Sequence, residues 1–254
     1  MPPSRAHVWF VEVDDEGAAV QARAMLPAAD ADRLSATAVP RHRHRRLCAQ
    51  AALRALVADA VGSTPLLVRL ERDRNGKPQL ADGSDLHVSL THSGAFAAVA
   101  LTTAGPVGVD IEQPHAVPDQ AALARTMMSD REYQRWLRLA GPAAARSLFR
   151  SWTYKEAVLK AFGAGLAGDV RAVATRPGSN GQPVLETLHA AAGTPARWTL
   201  RDLSDECGLP AAVAVAAPET EIRFRRARIS DILRTRVVGL PSRSGPRWPI
   251  PSAW

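Results

Sequence analysis

The sequence predicts an α+β fold built from two similar halves, on three observations. Apolar residues make up 46% of its 254 residues and charged residues 22%, a balance that fills a core and excludes a wholly disordered chain. The order strand, long helix, strands, strand runs loosely twice along the chain, with a junction near residue 113. No apolar run approaches the ~20 residues that cross a bilayer, so every predicted element belongs to a water-facing fold. The boundaries that follow are an N-terminal half at 1–112, a C-terminal half at 113–224 and a basic, mobile tail at 225–254.

The elements are justified in chain order. His7 to Val13 alternates and runs into the turn residues DDEG, which predicts a strand followed by a helix. From Arg41 to Gly62 apolar residues recur at helical spacing, with Gly62 as the stop and the basic cluster Arg41, Arg43, Arg45 and Arg46 as the start. Asn75-Gly76 marks a tight turn, and LHVSLTHSGAFAAVALT reads as two strands broken at His92-Ser93-Gly94. Pro106 and Pro114 bracket the short strand VGVDIEQ. Helices are expected over roughly 119–139 and 143–162, the second ending at Gly163. PVLETL, RWTLRDL and AAVAVAA supply the second strand set; beyond Phe224 only ISDILRTRVVGL has helical potential, and the proline-rich remainder reads as mobile.

The net charge of +7 suggests nucleic acid until its position is considered. Residues 222–254 hold eight arginines and one acid, Asp231, so this segment alone accounts for the whole net charge and the body is neutral. Aromatic residues, at 5%, leave few stacking platforms for single strands. Cys48 and Cys207 stand far apart with no CxxC, which argues against a disulfide framework or a zinc site. The N-terminus lacks the charged-then-apolar pattern of a signal peptide, and a cytoplasmic monomer with no membrane partner is expected.

Chemistry-bearing residues concentrate in two stretches. In Val107-Gly108-Val109-Asp110-Ile111-Glu112 the period of two sends the apolar residues to one face and Gly108, Asp110 and Glu112 to the other. Two carboxylates on one face describe either a wet strand or oxygen ligands of the kind Mg²⁺ takes. In RSLFRSWTYKEAVLKAFG, at 100° per residue, Glu156 falls inside the apolar arc between Trp152 and Phe149, and Lys155 falls near Leu148. Inward charges are costly unless an ion pair, a cation or a catalytic proton engages them, and a surface Glu156/Lys160 pair is the plain alternative.

These two stretches in this order resemble the paired signatures (V/I)G(V/I)D and (F/W)xxKE(A/S)xxK of the 4′-phosphopantetheinyl transferases. Gly76-Lys77-Pro78 and Thr91-His92-Ser93-Gly94 look like the GKP and SHSG elements of the larger, surfactin-synthetase-activating (Sfp-type) branch, and the resemblance covers about residues 41–217. It implies two similar α+β halves related by a pseudo-twofold, with coenzyme A in the cleft between them. It implies that Asp110, Glu112 and Glu156 hold Mg²⁺, and that Glu156 takes the proton of a carrier-protein serine. Lys160 and Lys155 would then stabilise phosphate charge, and His92 with Thr91 would contact a phosphate oxygen. Lys77 and Pro78 would meet the adenine nucleotide. The 3′-phosphate arginine maps onto Arg45, with Arg46 one step away. The chain departs from the family at Val88-Ser89, where Phe-Asn is common, and at Thr91, which keeps a hydroxyl.

The implied activity is transfer of phosphopantetheine from coenzyme A to an apo acyl or peptidyl carrier protein. The rivals are a nonenzymatic nucleic-acid-binding protein, which the neutral body disfavours, and a coenzyme A-binding homologue without transferase activity, which the intact Asp110, Glu112, Glu156 and Lys160 disfavour.

Overall fold

The computed structural model describes residues 4–36, 39–163 and 169–234, with the side chains of residues 40 and 41 left aside. The chain begins with β1 (Arg5–Glu12) and two short helices, α1 (Ala19–Ala24) and α2 (Ala28–Ser35). The 22-residue α3 (Pro40–Val61) follows, then β2 (Leu70–Arg72), β3 (Pro78–Leu80), β4 (His87–Ser93) and β5 (Phe96–Thr102). The second run has β6 (Val107–Ile111), α4 (Gln120–Met127), α5 (Asp130–Trp136) and the 22-residue α6 (Gly141–Phe162). It continues with β7 (Ala174–Pro177), β8 (Pro183–Thr187), β9 (Thr199–Asp202), the single turn α7 (Ser204–Cys207) and β10 (Ala211–Val215). The described chain ends on β11 (Glu221–Arg228) and α8 (Ile229–Arg234).

Helix, hairpin and strand pair thus recur in the same order, and so does the pairing. One sheet has the order β11-β1-β5-β4, the other β6-β10-β9, so in each the first strand of the run pairs antiparallel with the last. Both long helices carry Pro at their first or second position, where the missing N–H costs nothing. Both stop on a left-handed glycine, Gly62 at φ 69° and Gly163 at φ 77°. Alternation sorts the cores. His7, Trp9 and Val11 of β1 face α3, while Ala6, Val8 and Phe10 pack on Val107, Val109 and Ile111 of β6 and on β10.

Three expectations need correction. The expected helix over 119–139 is two helices, because Ser129 and Glu132 form a capping box that starts α5 afresh. β6, expected at the end of the first half, pairs with β10 and so opens the second run. The basic segment expected to be a mobile tail from residue 225 instead continues β11 as far as Arg228, parallel to β1 from Arg5↔Glu221 to Glu12↔Arg228. Ile229 and Leu233 of α8 are fully buried in the first core. In EIRFRRAR only Ile222 is buried, with Phe224 partly so, and the segment is held as a strand by its ladder to β1, which net charge alone conceals. The rest of the expected tail, residues 235–254, lies outside the described residues.

Candidate active site

β4 and β6 run side by side without sharing a backbone ladder, and hydroxyls on alternate residues of β4 join them. Ser89 Oγ accepts from Val109 N–H at 3.1 Å, Thr91 Oγ1 donates to Asp110 Oδ1 at 3.1 Å, and Ser93 Oγ donates to Glu112 Oε2 at 2.9 Å. Ser93 Oγ also accepts from Gln113 N–H at 2.9 Å. The period of two that puts Asp110 and Glu112 on one face of β6 therefore meets a matching row of small hydroxyl side chains.

Gly108 shares that face and fixes how close α6 comes. A Cβ there would lie 2.0 Å from Ala157 O and 2.4 Å from Ala161 N, so only glycine lets the helix rest on the strand. The space beside the carboxylates is thus filled by α6, which brings Glu156 and Lys160 to Asp110. Lys160 Nζ donates to Asp110 Oδ1 at 2.5 Å and to Thr91 Oγ1 at 3.0 Å. Asp110 is 2% exposed, and its Oδ2 is buried with no hydrogen-bond partner among the described residues. Burial raises its carboxyl to about 6 against the opposing pull of Lys160, with Glu112 and Glu156 adding to the rise. Burial also raises Glu156, which is 9% exposed, with Lys160 opposing and Glu112 reinforcing.

Together these residues line a cleft of about 510 Å³ whose other walls mix cationic and polar groups with Leu34, Leu90, Trp152 and Leu159. Arg46 and Gln50 enter from α3, Asn75 to Pro78 from the β2–β3 turn, and Trp152 from α6. The turn is tied to the end of α6: Asn75 Nδ2 donates to Gly163 O, and Lys77 Nζ donates to Ala161 O at 2.8 Å. Burial lowers the Lys77 ammonium to about 8. His92, on β4 two residues before the left-handed Gly94, lines the cleft as well. Its imidazole is lowered, first by burial and then by Arg46 and Lys160, so it is neutral at pH 7.

The cleft thus gathers Asp110, Glu112, Glu156, Lys160, His92, Thr91, Lys77 and Pro78, and leaves out two residues expected there. Arg45 turns away to fork Asp14, with Nε to Oδ1 at 3.0 Å and Nη2 to Oδ2 at 2.5 Å, and its neighbour Arg46 lines the cleft instead. Lys155 is fully buried on another face of α6, where Nζ donates to Glu132 Oε2 at 2.8 Å and to the carbonyls of Val173 and Val170. Burial opposes the Glu132 charge, but Lys155 and the N–H groups of Ser129 and Thr175 prevail and hold its carboxyl below the ordinary range. Of the two inward charges on this helix, Lys155 is an internal ion pair and Glu156 belongs to the cleft. Sequence reasoning missed Ser89, Gln50, Asn75 and Glu132; the serine-threonine period on β4 and the Ser129-x-x-Glu132 box were the signals available.

Among the described residues no three acidic, histidine or cysteine side chains stand close enough to hold a metal ion as they are. The donor chemistry nonetheless suits a hard cation. Three carboxylates face one space, one carboxylate oxygen lacks a partner among the described residues, and burial, reinforced by the neighbouring carboxylates, raises two of the three acids.

A cationic rim around inward carboxylates, set between two sheets, has the donor chemistry that suits a phosphorylated ligand. Residues 106–216 match the model of the 4′-phosphopantetheinyl transferase superfamily. Over 218 residues, 83% of this chain and 87% of the relative, the sequence is 30% identical to the 4′-phosphopantetheinyl transferase HetI of Nostoc sp.. It is 29% identical over 223 residues to a phosphopantetheinyl transferase of Thraustochytrium sp., covering 81% and 77% of the two chains. It is 26% identical over 143 residues to the transferase Sfp of Bacillus subtilis, covering 56% and 62%. This chain belongs to the 4′-phosphopantetheinyl transferase family.

Proposed function

We propose that the chain transfers the 4′-phosphopantetheine group of coenzyme A to a serine hydroxyl of an apo carrier protein and releases adenosine 3′,5′-bisphosphate. The observation that carries this reading is the meeting of Asp110, Glu112, Glu156 and Lys160 under a rim of Arg46, Lys77 and His92, in a chain of this family. Glu156 accepts the serine proton, and the carboxyl raised by burial is the better base for it. The serine oxygen then bonds to the phosphorus that bears the pantetheine arm as that phosphorus parts from the adenosine-side phosphate. Lys160, held between Asp110 and Thr91, offers its charge to the phosphate oxygens, and neutral His92 with Thr91 supplies hydrogen bonds. Arg46, in place of Arg45, binds the 3′-phosphate, and Lys77 and Pro78 meet the nucleotide.

Asp110, Glu112 and Glu156 would hold Mg²⁺, which supplies charge neutralisation for the pyrophosphate when bound. The same reading treats the chain as two α+β units related by a pseudo-twofold, the second opening at β6. It has the protein act as a cytoplasmic monomer without nucleic-acid or membrane partners; among the described residues no helix is long and apolar enough to cross a membrane.

The test is mass spectrometry of an apo carrier protein incubated with this protein, coenzyme A and Mg²⁺, with and without excess chelator. A gain of one phosphopantetheine that chelation abolishes is expected. No gain on any of a panel of acyl and peptidyl carriers overturns the transferase reading, and full turnover by metal-free protein overturns the Mg²⁺ assignment alone.

A further inference from the structure

α6 has a second cavity on the side facing away from the cleft. Trp152, Glu156, Leu159 and Lys160 face the cleft, while Arg146, Ser147, Arg150 and Tyr154, about half a turn of the wheel away, line a separate hollow of about 420 Å³. α1, α2 and α8 cover α3, and α4 and α5 pack on α6, but a gap persists between α5, α6 and the β7–β8 hairpin.

Four arginines line this hollow, Arg135, Arg146, Arg150 and Arg176, against one acid, Glu132, whose oxygens Lys155, Ser129 and Thr175 already engage. Three of the arginines are steered by carboxylates set behind or beside the hollow. Arg150 donates to Asp202 Oδ2 from Nε at 2.7 Å, and Arg135 and Arg176 reach Glu186 at 3.4 and 3.9 Å. Arg146 has no counter-ion among the described residues. The floor is apolar and fixed: Trp136 Nε1 donates to Ala144 O at 2.9 Å, which sets its ring, and Met128, Leu139 and Pro183 complete it.

A cationic mouth over a preset apolar floor matches a ligand of one chemistry. We propose that this hollow binds a small amphiphilic carboxylate, its charge at Arg146 and Arg176 and its chain on Trp136 and Leu139. The proposal is independent of the transferase reading, since none of these residues lines the cleft.

The test is calorimetric titration of the full chain, with coenzyme A and Mg²⁺ kept saturating so that the cleft is filled, using octanoate, octan-1-ol and inorganic phosphate as probes. Octanoate is expected to bind at one site, to weaken about tenfold in Arg146→Ala, and to lose binding in Ser147→Phe, which fills the hollow. Transfer to a carrier should be unchanged in Arg146→Ala. Equal affinity for octanol, saturable binding of phosphate without octanoate binding, or octanoate binding insensitive to both substitutions each overturns the proposal. Circular dichroism of both variants confirms that they are folded, so a loss is read as a loss of the site.

Discussion

Arg54 of α3 and Lys155 of α6 each hold the fifteenth position of a 22-residue helix that ends on a left-handed glycine. Each is almost fully buried. Each donates to two carbonyls of the segment that follows its helix, Pro65 and Val68 for Arg54, Val170 and Val173 for Lys155. Each also meets one carboxylate from a short preceding helix, Asp30 of α2 at 2.8 Å or Glu132 of α5 at 2.8 Å. One position further along, the helices differ. α3 has a buried Ala55 and then Asp59, where α6 has Glu156 and Lys160. The lesson is that the buried cation belongs to the architecture around either long helix, and only α6 follows it with a charged pair that lines the cleft.

Truncation after Arg228 tests the comparison most severely, because α8 closes the core of the first half only. Losing Ile229 and Leu233 together should cost more than about 5 kcal/mol and leave no cooperative unfolding transition in urea. A truncated protein as stable as the full chain would mean that the two halves do not differ in this dependence.

Lys155→Met should lose about 3–5 kcal/mol because the Glu132 charge is left buried alone, and Arg54→Met should lose less, because Asp30 is partly exposed and keeps Arg33 as a partner. For Lys155 the pH dependence has a definite sign. Glu132 is held below its ordinary value of 4.5, so the pair's contribution is present above that value and fades as pH falls through the lowered one. The stability gap between wild type and Lys155→Met, followed by denaturant titration, should therefore narrow in acid. A gap independent of pH, or a loss in Arg54→Met as large as that in Lys155→Met, overturns this account.

Glu156→Gln addresses the difference between the helices. Turnover on a carrier should fall by ~10² or more with the folded state intact. Near-normal turnover at saturating Mg²⁺ would make Glu156 structural, as Lys155 is.

The smallest effect is expected at Lys77. Its ammonium titrates near 8, so coenzyme A affinity should weaken by up to about tenfold as pH rises through that value. In Lys77→Arg, calorimetry should find this slope flattened. A slope of the same size in that variant would move the titration to another group.

Periodicity exposed the two long helices, the β2–β3 turn and the carboxylate face of β6, because each is a local pattern that burial then honours. What it could not weigh was partnership across the chain. Lys155 looked like a site residue because its inward charge was visible and its partner Glu132, 23 residues away, was not. Arg45 and Arg46 were indistinguishable by spacing until Asp14, on the far side of α1 and α2, was found holding the first. Arginine density hid β11, whose assignment rests on a strand more than 200 residues distant.

That distant pairing also sets an order of assembly. A ribosome delivers β1 long before its neighbour β11, so one edge of β1 stays open while the residues between them emerge. The sheet around β1 is complete only once β11 has been made, and a pairing so distant in sequence is of the kind that forms slowly. The arginines of β11 act later, keeping that strand from pairing with a wrong neighbour between its emergence and its docking on β1.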